Sequence, residues 1–211
     1  MAPNSVEVAM SQEHWEQVYQ RKRSNEVSWY RPHLDRSLEF IARSPAGTNA
    51  SVIDVGGGAS TLVDDLLARG YGNVTVVDLS ARALEVARKR LGDAGTRVHW
   101  LVGDITTLPL QEHAYDVWHD RAVFHFLTTA EEREAYVAAV RRAVKPGGLV
   151  LVATFGPEGP LKCSGLDVRR YSAEGLHAEF GDDFVKIDEL VEVHHTPAGG
   201  TQQFVYCLCR M

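Results

Sequence analysis

Residues 52–62 read VIDVGGGASTL, a stretch in which an apolar run meets a cluster of glycines and then a helical pattern. The run 51–55 has the length and β-branched content of a buried strand, and the apolar residues after position 61 are spaced for one helical face. A strand that turns through glycines into a helix begins a βαβ unit. Backbone N–H groups at the start of such a helix face whatever ligand lies at the end of the strand.

The same alternation of short apolar runs and helical segments continues along the chain. Further strands are predicted at 74–78, 97–102, 115–118 and 149–155. Ser80 is placed to cap the helix after the second strand, and a helix over 130–144 ends before the sequence KPGG at 145–148. This order predicts a parallel sheet with helices on both faces.

The C-terminal region departs from that alternation. A helix over 172–180 is followed by two β-rich runs, 185–195 and 202–210, which are joined by a glycine turn at 197–200. Two such runs with a short turn are typical of an antiparallel hairpin. The predicted fold class is α/β: a three-layer Rossmann-like sandwich whose seven-stranded, mostly parallel sheet ends in a C-terminal antiparallel hairpin.

Length and composition fit one ample globular domain. The 211 residues carry 22 Lys and Arg against 28 Asp and Glu, and 45% are hydrophobic. An acidic chain without a long basic run argues against nucleic acid as a partner. The N-terminal stretch lacks the pattern of a signal peptide, no apolar run approaches the roughly 20 residues that span a bilayer, and the cysteine count of 3 is odd. We therefore expect a cytoplasmic protein without a membrane partner, as a monomer or homodimer.

Within the single domain 1–211, four regions are expected to differ in role. Residues 1–45 are predicted to form an N-terminal helical lid, 50–155 the cofactor-binding core, 156–171 a long loop on the substrate side, and 172–211 a helix plus the hairpin. The lid region carries a cluster of aromatic residues. These either pack one helix face on the edge of the sheet or close over a ligand pocket, and both roles can hold together.

Acidic residues at the ends of the second and third strands predict a nucleoside cofactor. Asp78 ends the second strand 22 residues after Gly56, where a carboxylate can accept hydrogen bonds from both hydroxyls of a ribose. Asp104 and Ile105 follow the third strand, where a short acid can meet the amino group of adenine and an apolar side chain can pack on its ring. The dehydrogenase fingerprint would need a glycine where Thr61 stands. Three strand ends thus converge on one ligand.

The motifs DVGGGAS (54–60), VVDLS (76–80), GDI (103–105) and VKPGG (144–148) resemble those of class I S-adenosylmethionine-dependent methyltransferases. The resemblance covers about residues 50–155 and implies S-adenosyl-L-methionine as the cofactor. The N-terminal segment looks like the covers of several small-molecule and lysine methyltransferases of this class, and aromatic faces suit a sulfonium cation. The cofactor-binding residues that the resemblance implies are Asp54, Gly56 and Gly58 at the methionine part, Asp78 with Leu79 at the ribose, Asp104 and Ile105 at the adenine, and Trp15, Tyr19 and Trp29 in the lid.

Candidates for catalysis follow the fourth predicted strand. His119, Asp120 and Arg121 are expected just outside the carboxyl end of the sheet, where ligands bind in open α/β folds. A neutral imidazole at His119 could accept a proton from the methyl acceptor, with Asp120 orienting it or competing for the same role. His119 is alternatively a cofactor contact, and Asp120 alternatively pairs with Arg121. His125 lies in an apolar run and is expected to be structural.

The predicted substrate residues come from the region around that strand end and from the long loop. Arg169, next to Arg170, could hold a carboxylate or phosphate of the substrate, although such pairs are more often solvated or paired. Cys163 in the loop is expected to contact substrate rather than act as a nucleophile, because direct methyl transfer needs no covalent enzyme intermediate. The full set of predicted substrate residues is Tyr30, Arg121, Phe124, Cys163 and Arg169.

No metal site is predicted. His194 and His195 are adjacent in a predicted strand, so they point to opposite faces and cannot chelate one ion together. Cys207 and Cys209 alternate in the last strand and are expected to be buried small hydrophobes.

The predicted function is methyl transfer from S-adenosylmethionine to a small-molecule nucleophile, because 211 residues leave only the lid and the loop 156–171 to build a compact covered pocket. A thiol or another chalcogenide is the leading acceptor, since it needs little activation beyond alignment. Two alternatives stay open. A protein lysine methyltransferase would present an open acidic groove, and a non-catalytic cofactor-binding partner module would bind cofactor without turnover and expose a sizeable apolar patch.

Overall fold

A computed structural model describes residues 12–211 as an open, twisted sheet covered by helices on both faces. Its helices are α1 (Gln12–Arg21), α2 (Asp35–Ile41), α3 (Leu62–Ala68), α4 (Ala81–Leu91), α5 (Ala130–Ala143) and α6 (Ala173–Phe180). Its strands are β1 (Ser51–Val55), β2 (Asn73–Asp78), β3 (Val98–Val102), β4 (Tyr115–Arg121), β5 (Val144–Phe155), β6 (Lys162–Cys163), β7 (Leu166–Asp167), β8 (Val185–His195) and β9 (Thr201–Arg210). Part of the predicted lid, residues 1–11, lies outside the described residues.

Seven of these strands form one sheet in the order β3-β2-β1-β4-β5-β9-β8. The first five strands in the chain pair in parallel, whereas β9 runs antiparallel to both of its neighbours, β5 and β8. The prediction of a seven-stranded, mostly parallel sheet with a C-terminal antiparallel hairpin is confirmed. The order reverses between β1 and β4, and in open α/β sheets the ligand crevice lies at such a reversal.

Two apolar clusters make the fold a three-layer sandwich. On one face of the sheet, α2 and α3 bury Leu38, Ile41 and Leu62 against the strands. On the other face, α5 and α6 bury Tyr136 and Leu176. The central strands are buried on both faces, which explains why their sequences are nearly continuous apolar runs.

Side-chain caps fix where the helices begin. The Ser80 hydroxyl accepts a hydrogen bond from the backbone N–H of Ala83, which confirms the predicted cap of α4. Thr129 and Glu132 form a reciprocal capping box at the start of α5. Because these caps anchor the helices to the ends of β2 and β4, they also fix the path of the chain around the ligand crevice.

Two boundaries differ from the sequence predictions in ways that affect the site. β4 continues through Arg121, so His119, Asp120 and Arg121 lie within the strand and are buried; the prediction that they lie beyond the sheet was wrong. The loop 156–171 contains a small hairpin, β6 paired with β7, whose turn residues Ser164 and Gly165 both have positive φ angles of 50° and 83°. Two consecutive positive φ angles are typical of a type I′ turn, which matches the twist of the flanking strands.

The described part of the predicted lid region, residues 12–45, packs on the apolar core and contacts α4. Trp15 and Trp29 pack against the apolar cluster that α2 and α3 cover. Glu16 of α1 accepts a hydrogen bond from the backbone N–H of Arg82, at the start of α4, at 3.3 Å. These aromatic residues therefore have the packing role, which is one of the two roles considered for them.

The outer edge strand of the sheet exposes several apolar side chains. Val185, Ile187, Val191 and Val193 of β8 are each exposed, between 42% and 66% of their surface. Among the helices of the described residues, none is long and apolar enough to cross a membrane.

Candidate functional site

The glycine turn after β1 is packed too tightly for any side chain. Gly56 and Gly58 have positive φ angles of 68° and 37°, which favour glycine. A methyl group at Gly56 would overlap Val123, and one at Gly58 would meet the Asp78 carboxylate. The backbone N–H groups of Gly56 and Gly57 both donate to the Val77 carbonyl, at 2.8 and 3.2 Å, so the turn is tied to β2. The turn therefore forms a bare backbone cradle between the ends of β1 and β2.

A pocket opens above this cradle at the carboxyl ends of β1 to β4. Its free space is about 650 Å³, a figure that includes the open solvent at its mouth. Eight of its lining residues were predicted as cofactor or lid contacts: Trp15, Tyr19, Trp29, Gly56, Asp78, Leu79, Asp104 and Ile105. The sequence analysis missed Val55, Val77, Gly103, Ala122, Val123 and Phe126, which flank the predicted motifs at the strand ends.

The first helix, the segment that follows it and the loop hairpin also line this pocket. The ring of Trp15 meets those of Trp29 and Phe126 edge to face, at centroid distances of 5.9 and 5.1 Å. Burial and the negative charge of Asp78 raise the pKa of the Tyr19 phenol, which therefore keeps its proton. Cys163 of β6 contributes a buried thiol whose pKa burial raises to about 11. A thiol with that pKa is a wall of the pocket and not a nucleophile at neutral pH.

Asp78 lies in the pocket at the end of β2. Its Oδ1 accepts a hydrogen bond from Ser80 N at 2.8 Å, while its carboxylate borders Gly58. Burial, followed by the nearby negative charges of Asp54 and Glu16, raises the pKa of Asp78 to about 7 against the opposing effect of the Ser80 hydrogen bond. A buried carboxylate with few internal donors is suited to accept hydrogen bonds from a ligand.

Binding of the cofactor is expected to weaken below about pH 7. Ribose hydroxyls held by Asp78, as the resemblance implies, would donate to its ionised form, whereas the unliganded protein takes up a proton at that group as the pH falls through its raised pKa of about 7. The dissociation constant of S-adenosylhomocysteine, measured by calorimetry between pH 5.5 and 8.5, should rise up to tenfold per pH unit below pH 7 and level off above pH 8. A flat profile over this range would contradict the assignment of Asp78 to the ligand.

Asp104 is held in a fixed orientation beside the same pocket. Thr106 donates to its Oδ1 twice, from the backbone N–H at 2.9 Å and from the side-chain hydroxyl at 2.7 Å. Ile105 is buried next to it. The pair stands at the end of β3, on the far side of Asp78 from the glycine cradle, which matches the expected order of adenine, ribose and methionine parts.

A second, adjoining pocket contains a buried chain of three side chains. His119 Nδ1 lies 2.7 Å from Asp54 Oδ1, and His119 Nε2 lies 2.8 Å from the Ser37 hydroxyl. All three side chains are buried, and Asp54 Oδ2 has no hydrogen-bond partner among the described residues. Both ring nitrogens of His119 are therefore occupied, so this histidine holds Asp54 in place and leaves one carboxylate oxygen for a ligand. The role of proton acceptor that the sequence analysis considered for His119 does not fit these contacts.

Asp120 is turned away from both pockets. Successive residues of a strand point to opposite faces, so Asp120 points to the α5 side while His119 points to the α2 side. Its oxygens accept hydrogen bonds from Tyr136 OH at 2.7 Å and from the backbone N–H groups of Val123 and Phe124 at 2.8 and 3.0 Å. Burial raises its pKa to about 6. Asp120 shapes the turn after β4, and the prediction that it is catalytic is corrected.

The predicted substrate residues divide between the pockets and the core. Tyr30 lines the second pocket, Cys163 the first, and Arg121 both. Phe124 is buried in the apolar cluster beneath α5, where its ring packs on Tyr136, so its prediction as a substrate residue was wrong. Arg169 pairs with Glu179 at 3.3 Å and also lies outside both pockets. The predicted anion site at Arg169 and Arg170 is thus corrected, because Arg170 donates to the carbonyls of Pro157 and Gly159.

Three further histidines are placed in structural surroundings. His125 is buried between the rings of Phe126 and Phe155. His194 is buried and His195 is exposed, on opposite faces of β8. Within residues 12–211, no group of three or more His, Cys, Asp or Glu residues is arranged to hold a metal ion.

Known proteins include a matching family and several proteins with similar sequences. A family model described as "Methyltransferase domain" matches residues 52–148. Human EEF1A lysine methyltransferase 2 is 23% identical over 194 residues, which cover 85% of this chain and 76% of that protein. A ubiquinone/menaquinone biosynthesis C-methyltransferase of Hahella chejuensis is 25% identical over 182 residues, which cover 81% of this chain and 72% of that protein.

A solved structure shares the fold over the whole chain. It is the 1,6-didemethyltoxoflavin-N1-methyltransferase of Burkholderia thailandensis with bound 1,6-didemethyltoxoflavin and S-adenosylhomocysteine. The two structures superpose with a TM-score of 0.71 at 21% identity, covering 100% of this chain and 90% of the other. The likeness shows that the two proteins share a fold.

Proposed function

Because the chain is a class I S-adenosylmethionine-dependent methyltransferase, with a methyltransferase family model matching residues 52–148, we propose that its methyl acceptor is a small-molecule nucleophile, with a thiol or another chalcogenide as the leading candidate. When bound, S-adenosylmethionine supplies a methyl carbon whose bond to a positively charged sulfur breaks as a lone pair of the acceptor forms the new bond. The remaining task of the protein is to align the acceptor and to exclude water.

The covered pocket is the observation that carries this proposal. Trp15, Trp29 and Phe126 form one aromatic wall, and Cys163 of the loop hairpin closes the other side. An acceptor has to fit beneath this cover, and a small apolar or aromatic molecule does so more readily than a folded protein. Such a pocket also expels water from around the reacting atoms.

The described residues fit the parts of the cofactor. Asp104 and Ile105 would hold the adenine, Asp78 the ribose hydroxyls, and the unpartnered Oδ2 of Asp54 the ammonium of the methionine part. The backbone cradle at Gly56 and neighbouring glycines leaves the space that a side chain would fill. Asp54, Gly58 and the lid aromatics thereby keep the roles that the resemblance implies, as parts of this proposal.

Apart from the carboxylates assigned to the cofactor, the described residues that line the two pockets offer no ready proton acceptor, which favours a soft nucleophile. His119 is the one histidine that lines either pocket in the described part of the chain, and both of its nitrogens are engaged. Tyr19 and Cys163 hold their protons because burial raises their pKa values. A thiol, with an ordinary pKa of about 8.5, ionises in part without help, whereas an alcohol would need a base.

His119→Ala is expected to weaken cofactor binding and turnover together. Loss of the imidazole leaves Asp54 Oδ1 without its 2.7 Å partner, and a buried group without its hydrogen bond costs about 1–3 kcal/mol. The dissociation constant of S-adenosylhomocysteine and kcat/KM should change by the same factor, roughly 5- to 100-fold. Ser37→Ala removes only the outer contact of the chain and should have a smaller effect. A fall in kcat with an unchanged dissociation constant would instead make His119 a base.

The function is tested by calorimetric titration followed by a survey of acceptors. The protein should bind S-adenosylmethionine and S-adenosylhomocysteine, and mass spectrometry should then detect a methylated product among thiols, amines and small acids. Methylation of one small nucleophile supports the proposal. Failure with every small molecule, together with methylation of a protein band from a cell extract, would overturn it.

A protein lysine methyltransferase is the second candidate function. It is favoured by the relative that is named a lysine methyltransferase and that matches 85% of this chain. This alternative predicts that a lysine-containing protein competes with small acceptors for the pocket. Tryptic mapping for methyl-lysine in treated extracts distinguishes the two candidates directly.

A further inference from the structure

Arg121 is a buried cation at the junction of the two pockets. Its side chain is 4% exposed, and its guanidinium lies over the Phe204 ring at 4.2 Å from the ring centroid. Nε donates to Tyr206 OH and Nη1 donates to the Trp29 carbonyl, each at 3.0 Å. These contacts fix the plane of the guanidinium between the lid and β9.

Nη2, the remaining nitrogen of the Arg121 guanidinium, has no hydrogen-bond partner among the described residues. Its nearest carboxylate oxygen is Oε2 of Glu192, at 4.0 Å, which is beyond hydrogen-bond distance. That same oxygen accepts a hydrogen bond from Tyr206 OH at 3.0 Å, and Oε1 of Glu192 lies 3.3 Å from Arg31. A buried charged donor without a partner is costly, so such a group calls for a ligand.

Two guanidinium groups lie beside one carboxylate at this point of the site. Arg31 and Arg121 both pair with Glu192, whereas the carboxylates of Asp54 and Asp78, which also line the pockets, form no ion pair with either arginine. The two nearby histidines carry no positive charge. Burial, followed by the charge of Arg121, lowers the pKa of His125 to about 3, and burial also lowers the pKa of His194. Both imidazoles are therefore neutral at neutral pH, and the positive charge at this point belongs to the arginine pair.

The position of Arg121 separates it from the adenosine end of the site. Asp78 and Asp104 stand at the ends of β2 and β3, on one side of β1. Arg121 ends β4 opposite Ala153 of β5, and its partners Tyr206 and Phe204 belong to β9 on the other side. A group held by Arg121 consequently lies on the side of the crevice that the adenosine leaves open for the acceptor.

We propose that the methyl acceptor carries a carboxylate or a similar planar anion, which Arg121 binds through its unpartnered Nη2, with Arg31 assisting at the second pocket. Guanidinium groups suit planar anions because they present several donors in one plane. This inference rests on the proposed function, since it names the chemical class of the small acceptor. It moves the anion site from the predicted Arg169 and Arg170 to the base of the pocket.

Matched acceptors test the proposal. The probes are 4-mercaptobenzoate and 4-mercaptobenzamide for turnover, with benzoate and benzamide for calorimetric binding to the protein loaded with S-adenosylhomocysteine. The wild type should prefer the anion of each pair by roughly 10- to 100-fold, and Arg121→Met should remove that preference. Arg43→Met is the matched control, because Arg43 also pairs with a carboxylate, Asp188, and lies over an aromatic ring, Phe40, but lines neither pocket.

A second variant keeps the test decisive if Arg121→Met does not fold. Glu192→Gln removes the shared carboxylate and should tighten binding of benzoate while leaving benzamide unchanged. Equal binding of benzoate and benzamide by the wild type, or a preference that survives Arg121→Met, would overturn the proposal. Benzoate selectivity without turnover of any thiol would support the anion site while the proposed function fails.

The carboxylate of the cofactor is the other anion that Arg121 could bind. S-Adenosylhomocysteine contains that carboxylate, and 5′-methylthioadenosine lacks the whole amino-acid part. Arg121→Met should weaken both ligands equally or not at all. If it weakens only S-adenosylhomocysteine and the acceptor preference is unchanged, Arg121 serves the cofactor and the assignment to the acceptor is wrong.

Discussion

Asp78→Asn is expected to weaken binding of S-adenosylhomocysteine by roughly 10- to 100-fold while making the unliganded protein more stable. The affinity falls because a neutral amide replaces a charged acceptor of ribose hydrogen bonds. The stability gain at pH 8 should be about 1–3 kcal/mol, since the variant no longer carries a buried, unpaired negative charge. Calorimetry and urea denaturation measure the two effects separately.

The sign of the stability effect follows from the raised pKa of Asp78. A carboxylate whose folded pKa of about 7 exceeds its unfolded value favours the folded state at low pH, and this contribution is lost as the pH rises through 7. The gap in stability between Asp78→Asn and the wild type should therefore shrink as the pH falls from 8 to 5.

Asp116→Asn is the matched control for that experiment. Asp116 lies in β4 near the opposite end of the sheet, where its Oδ2 accepts hydrogen bonds from Ser51 N and Lys145 Nζ, each at 2.8 Å. Because this carboxylate has partners that stabilise its charge, the substitution should reduce stability and leave affinity unchanged. If both substitutions changed the free energy of unfolding in the same direction, the ionised carboxylate of Asp78 would not be what destabilises the unliganded protein.

Gly56→Ala is expected to lower both the stability of the protein and its affinity for S-adenosylhomocysteine. The φ angle of 68° is unfavourable for alanine, by about 1–2 kcal/mol, and the new methyl group would overlap the Val123 side chain, which adds about 1–3 kcal/mol. Gly56 also lines both pockets, so binding of S-adenosylhomocysteine should fall by roughly 100-fold or more.

Gly47→Ala separates strain of the backbone from the loss of space. Gly47 has a comparable φ angle of 54°, but a methyl group there would meet nothing within 4 Å. The free energy of unfolding of this variant should fall only by the cost of the backbone conformation, about 1–2 kcal/mol, and its affinity for the cofactor should be unchanged. Equal losses in thermal denaturation for the two variants would show that the crowding at Gly56 is not the cause.

The positions of Asp78 and Asp104 at the strand ends could be predicted from sequence because they depend on local order. Asp78 is the last residue of β2 and Asp104 lies two residues beyond β3, and parallel strands bring their carboxyl ends to one edge. The position of Ser80, directly before the helical pattern, was enough to predict where α4 begins. Short-range patterns were enough for these residues.

The acceptor half could not be predicted because its contacts join distant parts of the chain. The apolar run of β4 ends at Trp118, yet the strand continues because His119 and Arg121 find buried partners in Ser37 and Tyr206, 82 and 85 residues away. Phe124 and Arg169 were misassigned because their partners, Tyr136 and Glu179, lie on the following helices, α5 and α6, whose packing the sequence pattern did not show. One local signal was overlooked, because Ser164 followed by Gly165 is typical of a hairpin turn.

The position of β9 has a consequence for how the protein is made. β9 follows every other strand of the sheet in sequence, yet it lies between β5 and β8. While a ribosome is still synthesising residues 201–210, the β5 edge is open and β8 has no neighbour in the sheet, so its exposed valines and isoleucine could pair with another chain. A nascent chain that stalls before β9 emerges is therefore the form of this protein most in need of a chaperone.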